Sequence, residues 1–216
     1  MRNLTFAFLA AGAMATASPA QAEPVTLVAL GDSLTQGYGL PPEEGLVPQL
    51  QAWLAAQGRD VTVVNAGVSG DTTAGGLARL GWTLTPDVDA IIVTLGGNDL
   101  LRGLDPANSR ANLDAILKDV TARGLPVLLI GLPAPGNYGP DYKAAFDAIY
   151  PELAAQYGAL LLPDFFAPLG PASDPAALAA FMQPDGIHPS AEGVARIVDG
   201  MGPTVLELLD RVPAQN

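Results

Sequence analysis

A chain of 216 residues that is 49% hydrophobic and carries a net charge of −12 can bury one full-sized core, and fits one domain better than two. It has no cysteine, which excludes disulfides, thiolate metal sites and a Cys nucleophile together. Its Lys and Arg form no cluster able to neutralise phosphates and its acidic residues are scattered, so nucleic acid is not an expected partner.

The first segment reads as an export signal. Arg2 supplies a basic start, Leu4 to Ala17 is an apolar run, and Ala20-Gln21-Ala22 has the small-residue form of a cleavage site. The run falls short of the ~20 apolar residues that a spanning helix needs. Residues 1–22 are therefore expected to be removed after Ala22. A single domain over residues 23–216, with no stable membrane span, is then expected in the periplasm or the medium. Loss of Arg2 leaves nine basic residues against 22 acidic ones, a charge of −13.

From Val25 onward, short apolar runs alternate with stretches of helical spacing. The runs are Val25 to Leu30, Val61 to Val64, Ala90 to Leu95, Val127 to Ile130 and Ala159 to Leu162. Continuous apolar runs predict strands buried on both faces. Between the third and fourth, Leu113, Ile116, Leu117 and Val120 recur at i, i+3, i+4 and i+7, with Asn108 placed as an N-cap. After the fourth, Tyr142, Phe146, Ile149, Tyr150 and Leu153 predict one helix kinked at Pro151. Strand and helix alternating five times predicts a three-layer α/β fold: a parallel sheet with helices on both faces, since each parallel connection must cross over. Function in such sheets gathers beyond the carboxyl ends of the strands.

The segments that follow these strands are rich in small and polar residues. Gly31-Asp32-Ser33-Leu34 follows the first strand, Asn65-Ala66-Gly67-Val68-Ser69-Gly70-Asp71 the second, and Gly96-Gly97-Asn98-Asp99 the third. Asp185-Gly186-Ile187-His188-Pro189 precedes the last helix, which Ser190 is placed to cap. A serine hydroxyl is a poor nucleophile at neutral pH and needs an adjacent base, and His188 is the only histidine in the chain. The base needs a carboxylate to fix its tautomer, which Asp185 can supply from the same loop. Acyl transfer also needs donors aimed at the developing oxyanion. The backbone N–H groups of Ser33 and Gly67, with the Asn98 amide, are the candidates.

These motifs resemble the SGNH or GDSL hydrolase family, whose four hallmark residues are matched by Ser33, Gly67, Asn98 and His188. Gly-Asp-Thr at 70–72, Gly-Leu-Ala-Arg-Leu at 76–80, Leu-Arg-Gly at 101–103, Asn137-Tyr138-Gly139 and Ala148-Ile149-Tyr150-Pro151 look like its bacterial thioesterase I/protease I/lysophospholipase (arylesterase) subgroup. The resemblance runs from about Val25 to the last helix. It implies a flavodoxin-like five-stranded sheet in the order 2-1-3-4-5, with Ser33 as nucleophile, His188 as base and Asp185 as orienter. It further implies hydrolysis of acyl esters, thioesters or lysophospholipids by a single copy of the chain, without metal or organic cofactor.

Other roles remain open for several residues. Asp32 and Asp99 also flank the clusters, and the reading preferred for both is that they hold loops by accepting backbone N–H groups. Asp71, Tyr138, Phe181 and Met182 are candidates for contact with the substrate, and Phe165 and Phe166 lie in the same long loops; core packing explains the aromatic residues and Met182 equally well. Two other functions stay open as well, a deacetylase for acetylated sugars or cell-wall glycan using the same residues, and a non-catalytic binding module.

Overall fold

The computed structural model describes residues 24–171 and 174–213, so the export signal read at residues 1–22 lies outside the described residues. The apolar runs form five strands: β1 (Val25–Gly31), β2 (Val61–Gly67), β3 (Ala90–Thr94), β4 (Val127–Ile130) and β5 (Leu160–Leu162). They pair in parallel in the order β2-β1-β3-β4-β5. The helices between and after them are α1 (Ser33–Gln36), α2 (Leu46–Ala56), α3 (Thr73–Thr83), α4 (Gly97–Leu101), α5 (Pro106–Ala122), α6 (Pro140–Asp147), α7 (Ile149–Tyr157), α8 (Pro175–Ala179) and α9 (Ala191–Asp210). α2 packs on α9, and α3, α5 and α7 form a second packed row, so the sheet is sandwiched between helices. Among the described residues no helix is long and apolar enough to cross a membrane.

Burial follows position in the sheet. All residues of β3 and β4 are buried, as continuous apolar strands covered on both faces should be. β2 departs from that expectation: Val61 and Val63 are buried while Thr62 and Val64 are exposed. It is an edge strand with α2 packed against it, and it alternates as a strand covered on one face does.

Two helix expectations are corrected. The helix expected through Tyr142 and Leu153 is broken rather than kinked, with α6 ending at Asp147 and α7 starting at Ile149. Pro151 has no N–H for the Asp147 carbonyl, and its ring crowds that same carbonyl four residues back, so the break falls there. The cap of α5 is Asp105, not Asn108: its Oδ1 accepts the Ala107 N–H at 2.9 Å and Pro106 occupies the first helical turn. Ser190 does cap α9, its Oγ accepting the Gly193 N–H at 3.2 Å.

The register sets the site. Gly31 pairs with Gly67 on one side and with Thr94 on the other, so β1, β2 and β3 end level with one another. The chain leaves β1 for β2 on one side and later returns to β3 on the other. The loops after β1 and β3 therefore part at the point where the strand order reverses, the crevice in which open α/β sheets place their ligands.

Candidate active site

Ser33 stands at the start of α1, directly beyond the β1 edge. The turn into α1 is tight: a Cβ on Gly31 would collide with the Thr35 side chain and crowd the Thr94 carbonyl. Asp32 caps the helix through Oδ1, which accepts the Leu34 N–H at 3.0 Å, and Gly37 at φ 88° ends it one turn later. Asp32 is buried, and burial pushes its carboxyl up to about 6 against the opposing pull of the Leu34 N–H, the His188 charge and the Asn98 amide.

The His188 loop reaches Ser33 from the other side of the crevice. His188 Nε2 lies 2.8 Å from Ser33 Oγ and Nδ1 lies 2.6 Å from Asp185 Oδ2. Asp185 Oδ1 also accepts the backbone N–H groups of Ile187 at 2.9 Å and His188 at 3.0 Å. The His188 side chain, then those two N–H groups, hold the Asp185 carboxyl down at about 2. An ionised carboxylate can only accept, so Nδ1 carries the proton and donates it. Nε2 of the neutral ring is thereby left to accept from the Ser33 hydroxyl. The loop is anchored by Gln183, whose N–H donates to the His188 carbonyl at 2.7 Å and whose Nε2 donates to the carbonyls of Tyr38 at 2.8 Å and Pro189 at 3.0 Å. The Tyr38 ring lies against the His188 ring, centroids 4.7 Å apart.

The third wall comes from the loop after β2 and from α4. Gly96, at φ 119°, starts α4 where a Cβ would collide with the Tyr150 hydroxyl, which itself donates to the Leu95 carbonyl at 2.9 Å. Asn98 Nδ2 donates to the Asp71 carbonyl at 2.9 Å and, more weakly, to Asp32 Oδ2 at 3.3 Å. Asp99 is buried and accepts the Thr73 N–H, the Thr73 hydroxyl and the Ser109 hydroxyl at 2.9, 2.6 and 2.9 Å. Asp32 and Asp99 thus hold loops by accepting N–H groups, the part preferred for them from the sequence.

Ser33, Asn98, Asp185 and His188 are brought together. Gly67 is placed differently from the expectation: its N–H already donates to Asn65 Oδ1 at 2.9 Å, and a Cβ there would collide with the Gln36 backbone, which makes it a close-packing glycine. Gly70, three residues on, was given no role from the sequence. It sits at φ 85° with its carbonyl held by Arg102 Nη2 at 2.8 Å, and among the hydrogen bonds of the described residues its N–H donates to none. The sequence signal that could have found it is the Gly-Asp-Thr motif at 70–72. The Asp71 carboxylate pairs with Arg79 Nε at 2.6 Å, while Arg79 Nη2 donates to the Gly31 carbonyl at 2.8 Å, tying the loop to β1.

A pocket of about 250 Å³ opens beside Ser33 and Asn98, walled by Leu100, Leu101, Leu132, Pro135 and Tyr138. Tyr138 therefore lines it. Met182 instead lines a second cleft, on the far side of Phe166 and Ile187. Phe181 lines neither; its ring lies under the Arg196 guanidinium at 3.8 Å and its carbonyl accepts the Ser190 N–H at 2.8 Å, so it packs against α9. Phe165 is buried in the core.

Comparison with known proteins agrees with this geometry. Residues 29–196 match the GDSL-like lipase/acylhydrolase family. Esterase TesA of Pseudomonas aeruginosa is 43% identical over 190 residues, covering 88% of this chain and 92% of that protein. Thioesterase 1/protease 1/lysophospholipase L1 of Escherichia coli K12 is 38% identical over 187 residues, covering 86% and 85%. The arylesterase of Vibrio mimicus is 38% identical over 169 residues, covering 77% and 80%. The crystal structure of TesA superposes with a TM-score of 0.76 at 41% identity, covering 85% of this chain and 99% of that one. AlinE4, a SGNH-hydrolase family esterase, does so with a TM-score of 0.70 at 42% identity, covering 90% and 100%. The chain belongs to the GDSL-like lipase/acylhydrolase family, and it is a serine hydrolase of acyl esters.

Proposed function

We propose that Ser33 is the nucleophile, His188 its general base and acid, and Asp185 the residue that orients His188. The observation that carries this reading is the continuous relay from Asp185 Oδ2 to His188 Nδ1 at 2.6 Å and from Nε2 to Ser33 Oγ at 2.8 Å. Ser33 Oγ attacks the acyl carbon as its proton passes to Nε2, and the imidazolium is stabilised by a carboxylate that remains ionised. Collapse of the tetrahedral intermediate expels the alcohol or thiol, which takes the proton from Nε2. Water then repeats the sequence on the acyl-enzyme, releasing the acid and restoring Ser33.

The developing oxyanion is met by the Ser33 N–H, the Asn98 amide and the Gly70 N–H, the last in place of Gly67. Asn98 exchanges its longer bond, 3.3 Å to Asp32, for the oxyanion. The bonds from Arg102 to Gly70 and from Asn98 to Asp71 support this assignment, because they fix the loop, and among the described residues no acceptor takes the Gly70 N–H.

The substrates are fatty acyl thioesters, aryl or alkyl esters and lysophospholipids, with the acyl chain in the pocket beside Asn98. A deacetylase would leave the apolar wall of Leu100, Leu101, Leu132 and Pro135 unused, which favours longer acyl groups. The chain acts alone, outside the cytoplasm, after losing residues 1–22. There, lysophospholipids and exogenous esters are better candidates than acyl-CoA.

A fluorophosphonate probe tests the assignment: it labels the wild-type protein and not Ser33→Ala. Hydrolysis of esters of increasing acyl length then separates the readings. A sharp fall beyond acetyl would convert the proposal into the deacetylase, and failure of the probe to label would leave a binding module.

A further inference from the structure

The crevice has two apolar arms, and an ester has two ends. The second cleft, of about 760 Å³, is lined by Leu178, Met182 and Pro184 and shares Pro133, Phe166 and Ile187 with the pocket beside Ser33. Those three shared residues form a saddle between the arms. The two arms differ in which part of the machinery builds them. Besides the segment after β4 and the saddle, the pocket takes its walls from α1 and α4, the elements that carry Ser33 and Asn98. None of the residues lining the second cleft comes from α1 or α4; Met182, Gln183, Pro184, Gly186 and Ile187 belong to the segment that ends in His188.

This division has a chemical meaning, which rests on the roles proposed above for Ser33 and His188. The group that accepts the proton from His188 is the leaving oxygen, so the alcohol must lie on the His188 side of the reacting carbon. The acyl chain lies on the other side, along α4. We infer that the second cleft is a leaving-group subsite and that it takes an uncharged, apolar alcohol, aryl or alkyl.

Of the substrates proposed above, the lining favours aryl and alkyl esters over lysophospholipids, whose leaving group is a phosphorylated alcohol. Among the residues that line the cleft there is no Lys or Arg, and its one charged side chain, Asp164, is an acid that would repel phosphate. Its polar groups are also turned inward to the protein: Asp164 Oδ1 accepts the Phe166 N–H at 2.8 Å, and Gln183 Nε2 donates to the Tyr38 and Pro189 carbonyls. The face left for a ligand is the apolar one.

Octyl acetate and methyl nonanoate test this, because they are isomers that place the same chain on opposite sides of the ester. Met182→Trp and, independently, Leu178→Trp should fill the second cleft, while Leu101→Trp should fill the pocket along α4. The ratio of kcat/KM for octyl acetate over methyl nonanoate is expected to fall about tenfold in the first two, the worth of roughly two buried methylenes. It should rise in Leu101→Trp. A ratio that moves less than about twofold in both cleft variants, or rises in them, overturns the subsite while leaving the esterase intact. Hydrolysis of neither ester by the wild-type protein overturns the functional reading and the subsite with it.

Discussion

Two aspartates stand next to the two side chains proposed to react, one beside Ser33 and one beside His188, and their surroundings drive them in opposite directions. Asp32 is 2% exposed, and burial lifts its carboxyl to about 6. The Asp185 side chain is 37% exposed, and hydrogen bonds from His188 and two backbone N–H groups hold its carboxyl down at about 2. An acid that orients an imidazolium has to be charged throughout the working range of the enzyme, and water plus three donors secure that for Asp185. Asp32 has the opposite setting and a scaffold's work: it caps α1 and receives the Asn98 amide. Hydration and partners, rather than proximity to Ser33, support Asp185 over Asp32 as the proposed triad acid.

The largest expected effect lies in the relay itself. Ser33→Ala and His188→Ala should each lower kcat/KM by about 10⁴-fold or more, measured with a short-chain aryl ester. In the wild type, activity should fall on acidification, because imidazolium cannot accept the Ser33 proton; full activity in acid would remove His188 from the base role. Asp185→Asn keeps the shape but presents Nδ1 with the wrong partner, and should cost about 10⁴-fold in kcat. Asp32→Asn should cost clearly less. If it costs more, the two carboxylates have been assigned the wrong way round.

Asn98→Ala comes next. Loss of one oxyanion donor should lower kcat by about a hundredfold or more with little change in KM, since the bond forms only as charge develops. A rise in KM at constant kcat would instead make Asn98 a ground-state contact.

The strands and the relay were legible in the sequence for a physical reason. A continuous apolar run fits few environments besides a buried strand, and a lone histidine leaves no alternative base. What was not legible depends on backbone direction. Gly67 and Gly70 look equivalent in Asn-Ala-Gly-Val-Ser-Gly-Asp, yet one spends its N–H on Asn65 at the end of β2, while the other, at φ 85°, donates to no acceptor among the described residues. The partners of Asp71 and Phe181 were not legible because Arg79 and Arg196 are eight and fifteen residues away on α3 and α9. The break before Ile149 was foreshadowed by Pro151, but its place follows from the carbonyl that the ring excludes, four residues earlier.

The smallest effect sharpens the comparison through stability rather than rate. Asp32 is raised from 3.8 to about 6 on folding, so between those values the folded chain holds a proton that the unfolded chain has lost. Its contribution is complete below 3.8 and is lost as pH rises through about 6, amounting to about 3 kcal/mol, since each unit is worth about 1.4 kcal/mol. Asp185 has the opposite sign: its contribution is present above 3.8 and is lost as pH falls through about 2. Asparagine at position 32 cannot titrate, so the difference in Tm between Asp32→Asn and wild type should shift in favour of the variant between about pH 4 and pH 6. With Tm moving about 2–4 °C per kcal/mol in a chain of this size, the shift should reach several degrees. Thermal unfolding across that range reads it directly. A difference that stays constant with pH would mean that Asp32 is solvated in the folded state, and the contrast with Asp185 would disappear.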